Sequence, residues 1–225
     1  MKLLSSNTKC DVSINFPIEA TCNPTETCRK LCYARRGPIT WPASIARQKR
    51  IYNYFLTHDY IEIGEQILEE TKNREWLRWC GSGDIFPEAI SVINFVAHCR
   101  PEMKNWIVTR KPEEVSYISQ NQNIYLMFSL DGTSKEKIEK LAKERNHKRL
   151  YFSYLRVDPE ENTRGSSIIF NAKQIKTLPY DDKRRVCPAD SGQMKVAGAC
   201  AKCQRCFSPR VLEEVLDASD VLKDW

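Results

Sequence analysis

Residues Trp76–Pro87 read WLRWCGSGDIFP, and the reading of this stretch decides the fold. Trp76–Trp79 is a short aromatic-rich strand, Cys80–Asp84 a small glycine-containing turn with an acidic end, and Pro87 stands where a first helical turn begins. Ile90, Ile93 and Val96 then recur at helical spacing. The same alternation of strand, tight turn and helix extends both ways along the chain. Upstream, Val12–Ile18 predicts a first strand, and helices follow over Trp41–Phe55 (Ile45, Tyr52 and Phe55 inward) and from Tyr60 to near Asn73 (Ile63, Ile67 and Leu68 inward). Downstream, strands are predicted at Trp106–Thr109, Ile124–Leu130, Leu150–Val157 and Ser167–Phe170. Further helices open at Pro112 and at Thr133 or Ser134, the latter running through Asn146 over Ile138, Leu141 and Ala142. A last helix, Val211–Trp225, is expected to pack back on the domain. About six strands, nearly continuous in apolar residues and separated by helices, describe an α/β fold with a parallel sheet covered by helices.

Ligand sites of parallel βα folds lie at the carboxyl ends of the strands. That rule gathers Gly81–Asp84, Arg110, Ser129–Asp131 and Arg156 with Asp158 on one rim, together with the loop after the first strand. No glycine-rich dinucleotide fingerprint occurs in that loop. Instead it reads CNPTETCRKLCYA, Cys22–Ala34. A helix from about Thr25 puts Cys28 and Cys32 one turn apart on one face, and Cys22 reaches in from the preceding loop. Three thiolates gathered in a polar segment call for a cation to neutralise them. Three protein ligands also leave a coordination position open, as a reactive metal or cluster requires.

A second group, Cys187, Cys200, Cys203 and Cys206, has two residues between each of the last three cysteines. Four thiolates fill a tetrahedral zinc site or bind a complete 4Fe-4S cluster. Two CxxC knuckles are the usual zinc arrangement, whereas a CxxCxxC run leans towards iron–sulfur. Of the other cysteines, Cys99 reads as core in an apolar helix and Cys80 lies beside the glycine turn. Three scattered histidines, His58, His98 and His147, are assigned no ligand role.

The chain has 225 residues, 41% of them hydrophobic, enough for one sizeable domain with a small appendage. The division expected is a core over 1–180 and a cysteine-rich segment over 181–225. Neither a signal peptide nor a membrane span is legible, so a cytoplasmic setting is expected, where clustered cysteines point to metal rather than disulfides. The formal charge of +6 favours acidic partners, but two clusters would reduce it to about +3. The basic stretches Lys183–Arg185 and Lys202–Arg210 keep nucleic acid as a candidate partner.

The cysteine trio after the first strand, the acidic glycine turn after the second and the βα series resemble the radical S-adenosylmethionine superfamily. Cys28 and Cys32 with Tyr33-Ala34, then Ser82-Gly83-Asp84, Thr109-Arg110, Ser129-Leu130-Asp131 and the cysteine-rich tail resemble more closely the phage gene product 88 family of radical-SAM-like proteins. The superfamily's usual trio has three and two residues between cysteines; here there are five and three. The resemblance implies a partial (β/α)6 barrel with parallel strands, plus a small cysteine-rich C-terminal metal-binding segment. It also implies a 4Fe-4S cluster on Cys22, Cys28 and Cys32, with one iron open to S-adenosylmethionine, an auxiliary cluster or zinc on the second group, and an external electron donor. Gly81 and Gly83 would admit the methionine part, Ser82 and Asp84 bond its ammonium, Ser129 and Arg156 reach ribose or carboxylate, and Tyr33 lie near adenine. Asp84 is the candidate catalytic carboxylate. Two other readings remain open: a zinc or iron–sulfur protein that binds nucleic acid without radical chemistry, and a base-modifying enzyme similar to tRNA-guanine transglycosylases. The latter would use Asp84 or Asp131 as nucleophile and hold structural zinc in the tail.

Overall fold

The computed structural model describes residues 1–7, 10–134, 137, 140–141, 150–163, 166–171, 185–188, 194 and 198–207. Its chain opens with a hairpin that the alternation rule overlooked, Ser5–Asn7 (β1) paired antiparallel with Asp11–Ser13 (β2). As a regular strand β2 stops earlier than expected, yet the extended chain stays bonded to its neighbour. Ile14 N donates to Arg78 O (3.1 Å), Gly81 N to Ile14 O (2.8 Å) and Phe16 N to Ser82 O (3.0 Å). Pro17 has no N–H to continue the ladder, and Ile18–Thr21 turns into a one-turn helix, α1.

Trp76–Trp79 (β3), Lys104–Thr109 (β4), Ile124–Leu130 (β5), Leu150–Arg156 (β6) and Ile168–Asn171 (β7) follow, each parallel to the strand before it. β2 also runs parallel to β3. Among the described residues the sheet therefore has seven strands in spatial order β1 to β7, mostly parallel, with no closure into a barrel. This is an α/β fold.

Glu26–Leu31 (α2), Pro42–Thr57 (α3), Tyr60–Glu70 (α4) and Pro87–Cys99 (α5) lie where the periodicity puts helices. α3 turns Gln48, Ile51 and Phe55 inward. Ile45, expected on the same face, is 39% exposed, because the apolar stripe runs one turn beyond the core and Gln48, donating to Ile39 O (3.0 Å), already marks the polar edge. Cys99, expected in the core, is exposed at the last residue of α5, past the buried stripe that ends at Val96 and Ala97. Pro112 opens only a 3-10 turn, Pro112–Tyr117, since Val115 alone is buried there and gives no apolar face to a longer helix. The expected helices through Asn146 and over Val211–Trp225 lie outside the described residues, apart from single positions of the first, and so does most of Lys183–Arg185.

Period-two alternation splits the strand side chains between two cores. Leu77, Ile107, Leu126 and Phe152 face α3, α4 and α5, meeting Ile51, Phe55, Ile63, Ile67 and Ile93. Trp76, Trp106, Tyr125, Met127, Tyr151 and Ile168 face the other way. There, among the described residues, they meet Cys10, Cys187 and Phe207. Phe207 stacks on Trp76 with ring centroids 4.8 Å apart and tilts against Trp106 at 5.7 Å. The cysteine-rich segment is thus held on the sheet by aromatic packing. No helix among the described residues is long and apolar enough to cross a membrane.

Phe207→Ala is expected to cost about 3–5 kcal/mol, the usual range for emptying a buried aromatic site. Urea denaturation measures the loss, and a red shift of native tryptophan emission reports water reaching Trp76 and Trp106.

Candidate functional site

The loop after β2 carries the first cysteine group to the carboxyl ends of the parallel strands. Cys22 ends α1, Thr25 caps α2, Cys28 lies in its first turn and Cys32 ends it. Helix formation here owes little to apolar packing, since α2 buries no residue completely. What fixes it is Thr25, whose Oγ1 accepts from Cys28 N (3.1 Å) and donates to the carboxylate of Asp131, 106 residues away. Capping by a Thr hydroxyl contributes about 1 kcal/mol.

Asp131 is the hub of this rim. Only 1% exposed, it accepts from Arg110 Nη1 (2.9 Å), Thr133 Oγ1 (2.7 Å), Thr133 N (3.1 Å) and Ser134 Oγ (3.0 Å) besides Thr25. Burial alone would raise its carboxyl, but the hydrogen bonds and the Arg110 charge outweigh that and hold it below the ordinary carboxylate value. Two strands away, after β3, Asp84 is 4% exposed and accepts from Thr109 Oγ1 (2.6 Å), Arg110 N (3.0 Å) and Ile85 N (2.8 Å). Burial lifts the Asp84 carboxyl to about 6 in spite of those donors. Asp84 does not cap α5, whose N-cap position is Phe86. Both carboxylates are committed to protein donors, which counts against either as a nucleophile.

The three thiols are half-buried and close enough to influence one another. Cys22 is pushed up to about 12 by burial first, then by the negative charges of Asp84, Cys32 and Cys28. Cys28 is also raised by burial, with Arg110 opposing. Repulsion of this kind is what a bound cation reverses. Three soft donors beside a buried acidic rim suit iron–sulfur or zinc by their chemistry. Among the described residues, no three Cys, His, Asp or Glu side chains already converge on one ion.

The glycine turn is packed against protein. Gly83 has φ +79°, and a Cβ there would lie 2.8 Å from Phe16 O. At Gly81 a Cβ would collide with the side chains of Asn15 and Ser13. Both glycines thus serve the close approach of the turn to the chain after β2. Ser82 Oγ donates to Phe16 O (3.0 Å) and lies 3.3 Å from Gln48 Oε1. Tyr33 bends back so that its hydroxyl donates to Gly81 O, tying the end of the cysteine loop to the turn. Ser129 is half-buried in β5. Arg156 is buried at the end of β6, where its Nε donates to Asn171 Oδ1 (2.9 Å).

The second cysteine group lies at the other end of the sheet's second face. Cys187, Cys200, Cys203 and Cys206 line one small cavity with Ile168 and Phe207. Ala199–Cys203 forms a short helix, α6, bounded by Gly198 (φ 67°) and Gln204 (φ 53°). These two left-handed residues turn the CxxCxxC run back on itself. Burial, then the charges of Cys187 and Cys203, raises the Cys206 thiol. Four sulfurs around one cavity are a donor set for zinc or a complete iron–sulfur cluster. None of the ten cysteines is in a disulfide.

Cys10 and Arg78 escaped the sequence reading. Cys10 is 1% exposed with its Sγ 3.6 Å from that of Cys200. Arg78 Nη1 donates to Cys10 Sγ (3.0 Å) and its Nη2 to Tyr33 Oη (3.0 Å), while its guanidinium lies 4.6 Å from the Trp106 ring centroid. One arginine therefore links the residue after Cys32 to the second cysteine group. The only signal in the sequence was a charge at an otherwise apolar position of β3.

Fold and site together define an α/β protein with one cysteine group at the strand ends of a mostly parallel sheet and a second on the face opposite its long helices. The chain belongs to the Gene product 88 family, whose model matches residues 3–209. No curated protein matches it, and no solved structure does. The likeness to the radical S-adenosylmethionine superfamily therefore rests on the order of motifs alone.

Thr25→Ala removes both the cap of α2 and one of the donors to Asp131, and an expected loss of about 1–2 kcal/mol in chemical denaturation follows. Thr25→Ser should recover most of it. Gly83→Ala is expected to cost more than Thr25→Ala, because the colliding atom is a backbone oxygen and the φ is unfavourable to alanine.

Proposed function

We propose that this chain is an iron–sulfur enzyme of radical-S-adenosylmethionine type. In this reading Cys22, Cys28 and Cys32 hold a 4Fe-4S cluster at the strand ends, and Cys187, Cys200, Cys203 and Cys206 hold a second cluster or a zinc ion. The observation that carries it is the placing of three half-buried cysteines on one loop, tied through Thr25 and Asp131 to the acidic rim at the carboxyl ends of β3 to β5. An open cluster supplies one vacant coordination position and one electron, the requirements for reductive cleavage of the sulfonium bond of S-adenosylmethionine. The chain's own residues supply position. Thr25 and Asp131 fix the cysteine helix, Arg110 keeps Asp131 ionised, and Tyr33 closes the loop onto Gly81. Ser129 in β5 and Arg156 at the end of β6 are the residues this reading assigns to the ribose or carboxylate of S-adenosylmethionine. The turn residues Ser82 and Asp84 contribute by holding the rim rather than by presenting side chains, which narrows the catalytic role expected of Asp84. The electron comes from an external donor, and the setting is reducing and cytoplasmic.

Anaerobic protein should turn brown when reconstituted with iron and sulfide and then, given dithionite and S-adenosylmethionine, release methionine and 5′-deoxyadenosine in equal amounts, the one electron coming from dithionite and the deoxyadenosyl radical taking its hydrogen atom from buffer, dithionite or protein. Cys28→Ala is expected to abolish that release, while Cys203→Ala lowers stability first. Colourless protein carrying two equivalents of zinc, or undiminished release by Cys28→Ala, sinks the reading.

A further inference from the structure

Between Thr27 and His58 the chain has seven Lys or Arg and no Asp or Glu. The formal charge of the whole chain is +6, so taking away these seven leaves −1 on everything else. This segment is thus one of two strongly basic regions of the chain, the other being the cysteine-rich tail around Lys183–Arg210, and it is the one without any acid. It begins inside the cysteine loop, passes through the 3-10 turns Tyr33–Arg35 and Gly37–Thr40, and continues into α3.

Its charges face solvent. Arg29, Arg35, Arg36, Lys49 and Arg50 are exposed, and among the described residues none of them makes an ion pair. Lys30 pairs with Glu26 at the surface (2.6 Å), and Arg47 is turned onto the carbonyls of Lys2 and Leu4. Two aromatic rings stand among them, Tyr33 at 59% exposure and Trp41 at 62%. An isolated exposed aromatic is ordinary; two within an acid-free basic segment form a pattern. The Tyr33 ring is also fixed, since its hydroxyl donates to Gly81 O and accepts from Arg78 Nη2 (3.0 Å). A ring already held gives up little rotamer freedom when a base stacks on it.

We infer that the strip from Arg29 to Arg50 binds single-stranded nucleic acid, its cations on the phosphates and Tyr33 and Trp41 stacked on unpaired bases. Bases within a duplex are already stacked and offer no face to these rings. An anionic bilayer fits less well, because the apolar side of α3 is spent in the core, with Ile51 0% and Phe55 1% exposed. Tyr33 directly follows Cys32, so a strand lying on its ring passes the three-cysteine rim. That nucleic acid is the substrate class rests on the function proposed above; the binding itself does not.

The test uses the full chain, reconstituted anaerobically, and fluorescein-labelled DNA and RNA strands of about 20 nucleotides, several times the smaller single-strand site sizes. Anisotropy is read over a range of salt, beside the matching duplexes and vesicles rich in phosphatidylserine. Expected is preference for single strands. Arg35→Ala/Arg36→Ala should weaken binding at least tenfold and flatten the slope of log K against log salt by about 1.4, or roughly 0.7 for each phosphate no longer neutralised. Trp41→Ala should weaken it about tenfold at unchanged slope. Lys72→Ala, an exposed cation outside the strip, should bind as the parent does. All variants are checked by thermal melting. Parental affinity in both strip variants, preference for duplex, binding only to vesicles, or no binding by the parent at low salt overturns the inference. DNA against RNA preference identifies the strand. Release of 5′-deoxyadenosine without oligonucleotide is followed in parallel and should be the same in the parent and in Lys72→Ala. Strand binding as described without any such release by the parent leaves the binding surface standing and removes the substrate assignment.

Discussion

A parallel sheet has to bury both of its faces, and among the described residues the long helices cover one of them. α3, α4 and α5 close over Leu77, Ile107, Leu126 and Phe152. The opposite face, with Trp76, Trp106, Tyr125 and Tyr151, is closed by Phe207 and by segments that carry cysteines. Groups with little apolar surface of their own are thereby held against rigid strands. The second cysteine group depends on this directly, because the Phe207 ring that fills the aromatic cleft is the residue after Cys206.

At the strand ends the constraint is polar instead. Asp131 is buried and charged, a costly state unless donors surround it. Arg110, Thr133, Ser134 and Thr25 meet that need from three different parts of the chain. Removing any donor leaves a buried acceptor less satisfied, so the arrangement resists loosening one part at a time. α2, a six-residue helix without a completely buried residue, keeps its place by this network. The cysteine loop is consequently positioned by hydrogen bonds to the rim, while the second group is positioned by aromatic packing. Arg78 connects the two through Tyr33 and Cys10.

Much of this was legible in one dimension. The strand beginning at Trp76, the helix opening at Pro87 and the helix capped by Thr25 follow from local pattern, and all three lie where pattern puts them. The β1–β2 hairpin was missed because three-residue strands are too short for alternation to register. Gly81 and Gly83 were noticed for the right property, the absence of a side chain. The structure supplies a reason for both that the sequence does not show, the close approach of Asn15, Phe16 and Thr21. The acid-free stretch after Thr27 was also in plain view, but charge counted over the whole chain averages it away.

The sequence by itself determined the alternation of strands and helices, the spacing of both cysteine groups and the acid-free basic segment after Thr27. These depend on residues close together in the chain, where period, capping and composition act. Only the tertiary structure decided that Asp131 anchors Thr25, that Cys10 meets Cys200 and that Phe207 stacks on Trp76. Those pairs are separated by more than a hundred residues, and no local rule specifies a partner at that distance. It is selected when the sheet's order brings two segments together and the burial of charge or aromatic surface has to be balanced there.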